Sequence, residues 1–236
     1  MRHCVISTVA VALALSGCAS GPKRPALSSG VIDEMRAEGL NMKTPAYAKF
    51  IAKTKSEVVT LGALNVASVV MGGGYSMQVD LRNKVPEDGY LDVSAWTLTR
   101  AVVDGGGFLD PGQAMDLSLR HRLAQKGITH NPDADYSVVG SVDFWGIDYE
   151  KLTGSDNYRL YFDLRLTLKR GLFFARTVFC SGASLEKHGY DEWMTGDGSR
   201  IRHAAAVIGD SCASRMLAEL DLADGEPVPL VLEAGG

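Results

Sequence analysis

From Arg159 to Lys169 the chain alternates strictly between apolar and polar side chains. Leu160, Phe162, Leu164, Leu166 and Leu168 fall on one side of an extended backbone. Arg159, Tyr161, Asp163, Arg165, Thr167 and Lys169 fall on the other. A period of two over this length fits only a β-strand with one covered face, so a sheet with something packed on it is required. Two further strands are predicted beside it, at about 135–149 and 172–185. Thr153-Gly154-Ser155-Asp156 and Arg170-Gly171 supply the turns between them. An earlier strand is expected around Tyr90 to Thr99, and another where Tyr75, Met77, Val79 and Leu81 alternate with polar residues.

Helical signals flank this block. Asp110-Pro111 reads as an N-cap followed by proline at the first helical position, and Gly127 ends the helix after Gln125-Lys126. A last helix is expected over about 199–222. Thr44-Pro45 has the same form as Asp110-Pro111 and predicts a helix carrying Tyr47, Phe50 and Ile51. Residues 57–71 are apolar on nearly all sides and fit a buried helix or a strand. The expected fold is α+β, a mainly antiparallel sheet with helices on one face, in the order strand, helix, three strands, helix.

Composition narrows the function classes. The chain has 236 residues, 22% of them charged, and a formal net charge of -4. It lacks the basic face of a nucleic-acid binder. Its four cysteines have no short-range pairing, so no zinc site is expected, and neither is a metal or a cofactor. Gly209-Asp210-Ser211 has the look of a nucleophile string, but it falls inside the last helix and is read as an exposed helical turn.

The N-terminus carries an address. Arg2 precedes a short apolar run that ends in Leu15-Ser16-Gly17-Cys18. The run is too short to span a bilayer and fits a secretory h-region. Leu15 to Cys18 resembles the lipobox of bacterial lipoproteins. That resemblance implies removal of residues 1–17, acylation of Cys18 and attachment to a membrane through its lipid. By the sorting rule of that family, Ala19 in place of Asp implies the outer membrane, facing the periplasm. Residues 18–40 then form a tether, 41–222 one periplasmic domain and 223–236 a tail. In that oxidising compartment Cys180 and Cys212 are the remaining thiols. One disulfide between them and two separately buried thiols both stay open; a bridge would close a loop of about 30 residues, worth ~3 kcal/mol.

A second resemblance rests on Ala124-Gln-Lys-Gly127-Ile, Ala134-Asp-Tyr-Ser-Val-Val-Gly140-Ser-Val and Tyr158 to Lys169. Together they resemble periplasmic lipoproteins that activate peptidoglycan synthases or assist lipid ABC transporters. The resemblance implies a non-catalytic accessory component that binds an envelope protein. Two other functions stay in view, a carrier or chaperone for an apolar ligand and an envelope hydrolase. Trp145, Tyr149 and Tyr161 are candidate partner-binding anchors. Tyr190 and Trp193, in the loop from His188 to Met194, are a second group.

Overall fold

The structure, a computed structural model, describes residues 27–52, 54, 89–94, 98–105, 107–108, 110–149, 156–172 and 174–222. Residues 57–71 and the strand expected at 75–81 lie outside these.

Three long strands form the frame: β4 (Tyr136–Tyr149), β5 (Asn157–Arg170) and β6 (Phe174–Ser184). They pair antiparallel in chain order, with a bulge in β4 between Val142 and Phe144. The sheet as a whole is mixed, which corrects the mainly antiparallel expectation. β1 (Asn41–Lys43) and β2 (Ile51–Ala52) both run parallel to β4, and β3 (Tyr90–Leu91) runs parallel to β6. β7 (His188–Gly189) pairs with the start of β5. The order is β1-β4-β5-β6-β3. Edge strands of two or three residues are too short to show a period in sequence, so their direction was illegible there.

Five helices are described: α1 (Ser29–Glu38), α2 (Arg100–Gly105), α3 (Pro111–Gln125), α4 (Tyr190–Met194) and α5 (Ser199–Glu219). α3 begins as its sequence demands. The Asp110 side chain accepts from the backbone N–H groups of Gly112 at 2.8 Å and Gln113 at 3.2 Å. α3 and α5 cover the face that carries Leu160, Leu164, Leu166 and Leu168, all buried. Burying four leucines stabilises the fold by about 1.5–3 kcal/mol each before entropy is counted.

α5 crosses α3 at very short range. A Cβ on Gly209 would lie 2.5 Å from the Pro111 carbonyl oxygen and 2.6 Å from Ala114 Cβ. The next residue locks the crossing. Asp210 is buried; it accepts from the Ser118 hydroxyl, from Arg122 Nη2 at 3.1 Å and from the Thr99 backbone N–H at 3.2 Å. This corrects the reading of Gly209-Asp210-Ser211 as an exposed turn: the string holds three helices together. Cys180 and Cys212 form a disulfide, Cα–Cα 5.6 Å, that fastens the same helix to β6.

Three other expectations change. Residues 44–50 are not helical and Ile51–Ala52 is a strand, because Pro45 sits against Gly112 and Gly140 and the chain then pairs with β4. The strand expected through Thr99 stops at Leu91, and Arg100–Gly105 is helical. Within the segment expected as tether, Ser29–Glu38 is helical and Met35 and Leu40 are fully buried, so α1 packs with the domain.

Candidate functional site

The aromatic anchors read from the sequence divide once packing is known. Trp145 and Trp193 are at most 1% exposed, and Tyr149 and Tyr161 are also buried. Trp145 meets Phe50 edge to face with ring centroids 5.0 Å apart. Tyr158 packs in the same manner against both Tyr149 and Tyr190. The Trp193 indole N–H donates to the Tyr158 carbonyl at 3.1 Å. These rings hold the core and offer no free face, which corrects their reading as surface anchors. Alternation shows which side a residue faces; it does not show what covers that side. Tyr190 keeps partial exposure.

The loop from His188 to Met194 does lie at a cleft. An open depression of about 510 Å³ is lined by residues that include Val93, Glu186, Glu192, Thr195, Arg200 and His203. It forms where β6 ends and β7, α4 and the start of α5 converge. The chain enters α5 through Gly196-Asp197-Gly198, all three with positive φ, and Asp197 adopts φ 54° although it is not glycine. This tight passage turns the first residues of α5 toward α4.

His188 does not line the depression but contacts three charged residues that do. Its Nδ1 lies 3.1 Å from Glu192 Oε2, and its Nε2 lies 2.6 Å from Arg200 Nη1 and 3.5 Å from Glu186 Oε2. An arginine can only donate, so its contact needs a lone pair on Nε2. The ring hydrogen then sits on Nδ1 and points at Glu192. Glu192 also accepts from the Gly189 backbone N–H at the start of α4. Below this polar layer the His188 ring meets Trp193 edge to face at 5.2 Å. Behind it, the Ser184 hydroxyl donates to the Glu186 carbonyl and accepts from the Leu160 N–H.

A carboxylate that orients a histidine is half of a general-base arrangement. Here the other ring nitrogen already faces Arg200. Both charge signs line the cleft, and the backbone around it is fixed by β7 pairing and the Trp193 anchor. Among the described residues no group of three or more His, Cys, Asp or Glu side chains is placed to hold a metal ion. Sequence reading singled out the loop from His188 to Met194 for Tyr190 and Trp193 and gave no site role to Glu186, His188, Glu192, Arg200 or His203. The available signal was Glu192 four residues after His188, followed by the Gly196-Asp197-Gly198 passage.

Away from the cleft, the second face of the sheet carries Arg165 paired with Asp143 at 3.0 Å, a Thr167–Thr177 contact at 3.1 Å and a half-exposed Phe179. At the opposite end of the strands, Arg170 joins Glu34 of α1 at 2.7 Å and lies over the Tyr136 ring. Burial, and then the hydrogen bond to Glu34, pushes the Tyr136 phenol above its ordinary value. Cys18 lies outside the described residues.

No known family profile matches the chain, and no curated protein matches it. Among solved structures, a minor lipoprotein from Acinetobacter baumannii is similar at 15% identity. That match covers 48% of this chain and 88% of the other, with a TM-score of 0.32. A protein of the DUF330 family from Xanthomonas campestris is similar at 13% identity. It covers 46% of this chain and 61% of the other, with a TM-score of 0.29.

Proposed function

We propose that the protein is a lipid-anchored component of the outer membrane whose periplasmic α+β domain acts by binding another envelope protein. Its place is that of an accessory part in an assembly or transport system. The single observation that carries the binding function is the cleft: Glu186, His188, Glu192 and Arg200 stand together at one end of the sheet, on backbone that the fold holds still. A preformed, open, two-signed surface suits a polar segment of a protein partner. Anchoring is supported by Leu15-Ser16-Gly17-Cys18, and no helix among the described residues is long and apolar enough to cross a membrane. The Cys180–Cys212 disulfide accords with an oxidising compartment. A carrier for an apolar ligand would need an enclosed apolar cavity, and the segment read as its wall, 57–71, lies outside the described residues.

The test is crosslinking in intact cells from a photoreactive residue placed at Thr195, with Ala175, exposed on β6, as the remote control. The expected result is a discrete protein adduct from position 195, lost when Arg200→Glu reverses the cleft's main cation. Equal adducts from both positions, or adducts unchanged by Arg200→Glu, would exclude the cleft as the binding surface.

A further inference from the structure

We propose that the turn between β5 and β6 is a finger that touches the lipid surface to which Cys18 is attached, its occupant being the boundary between phospholipid headgroups and acyl chains. The proposal rests on the lipid-anchor reading above.

Three observations meet at this turn. The first is composition. The turn that follows Arg170 puts Leu172 where a hairpin connection ordinarily carries Gly, Asn, Asp or Ser. Gly171 supplies the left-handed conformation, φ 54°, that the turn requires. Leu172 is then 96% exposed, so its side chain contributes nothing to the domain's own core.

The second observation is location. The described chain starts at Leu27, whose N–H donates to Asp221 at 3.2 Å. Asp221 lies 3.7 Å from Arg176 of β6, two residues beyond Phe174. Glu34 of α1 holds Arg170, the residue before the turn. The point where the lipid-bearing segment joins the domain and the β5–β6 turn are therefore at the same end of the molecule.

The third is reach. Nine residue steps separate Cys18 from Leu27, which is at most ~30 Å of extended chain. That end of the domain cannot leave the neighbourhood of the membrane. A single leucine is a weak membrane ligand for a free protein, but the anchor makes the contact intramolecular and supplies a high effective concentration. Lys169 stands at the shoulder of the turn, at the level where its long side chain meets headgroup phosphates while Leu172 goes deeper.

β5 is 14 residues long, so the two ends of the sheet lie about 45 Å apart. With the finger on the lipid, the cleft at the far end points into the periplasm.

The experiment uses the lipidated full chain in vesicles of phosphatidylethanolamine and phosphatidylglycerol that contain brominated phospholipid. Tryptophan emission added by Leu172→Trp is measured as the difference from the unsubstituted protein and compared with Thr195→Trp at the cleft. The proposal expects the Leu172→Trp increment to be blue-shifted and strongly quenched, and the Thr195→Trp increment to stay unquenched. An unquenched Leu172→Trp increment on protein that still floats with the vesicles would overturn the finger and leave the anchor standing. Equal quenching at both positions would overturn the orientation. Lipidated protein that fails to float with vesicles would remove the anchor, and this proposal with it.

Discussion

The carboxylate of Asp210 receives a hydroxyl from α3, a guanidinium from α3 and a backbone N–H at the start of α2. A buried carboxylate is tolerable only when its lone pairs are filled in this way. Removing it takes the acceptor from the Ser118 hydroxyl and from Arg122 Nη2, although Arg122 Nε still donates to Ser118. Asp210→Ala is expected to destabilise the domain by about 2–3 kcal/mol, below the full value for a buried pair because Arg122 is partly exposed. Urea unfolding reads the change directly, and an unaltered midpoint would refute the account of this residue. Asp110 is a different case. Burial is the dominant influence and raises its carboxyl above the ordinary value, while the N–H groups of Gln113, Gly112 and Ala48 pull it back. Its folded-state pKa therefore exceeds the unfolded one. The stability this group contributes is fully present below the unfolded value of about 3.9 and is lost as pH rises through the folded value. Asp110→Asn keeps a cap oxygen and removes the titration. The variant should gain stability relative to the parent as pH is raised from about 3 to 7, followed by urea midpoints; parallel pH curves would contradict the assignment.

At the scale of elements, α3, α5 and the three long strands were legible because each is long enough to repeat its period several times. Thr44-Pro45 misled for a physical reason. Proline after threonine suits a helix start, yet Pro45 instead fits between Gly112 and Gly140, and pairing with β4 then wins over local propensity. The packed aromatics show the same limit at the site: the bulge in β4 puts Trp145 opposite Phe162, on the face of the core leucines, while Tyr161 lies on the other face, and only tertiary structure shows both to be covered. The α3–α5 crossing offers a test in which two effects oppose. Within a helix, alanine is favoured over glycine by about 1 kcal/mol. At position 209 its Cβ would strike the backbone of Pro111 and Met115. Backbone cannot step aside cheaply, so Gly209→Ala is expected to lower the thermal midpoint despite its better propensity. A raised midpoint would show that the crossing is looser than described. The disulfide joins the same helix to β6 across 32 residues. Replacing both cysteines by alanine should cost about 3–4 kcal/mol in urea unfolding. No loss would mean that the bridge closes a loop already ordered in the unfolded chain.

At the scale of the molecule, the long hairpin separates two regions. One end holds α1, the start of the described chain and the exposed Leu172; the other holds the cleft beside His188. The strand frame could be read from sequence, since alternation is a local pattern. The cleft could not, because Val93, Glu186, Glu192 and Arg200 meet only after β7 and α4 fold back onto β5 and α5. The proposed compartment and orientation both rest on Cys18. Metabolic labelling with a fatty-acid analogue, on the parent and on Cys18→Ser, tests it most directly. The account predicts label on the parent in the membrane fraction, and neither label nor membrane retention for Cys18→Ser. Equal labelling of both, or an unlabelled parent released with the soluble proteins, would contradict it.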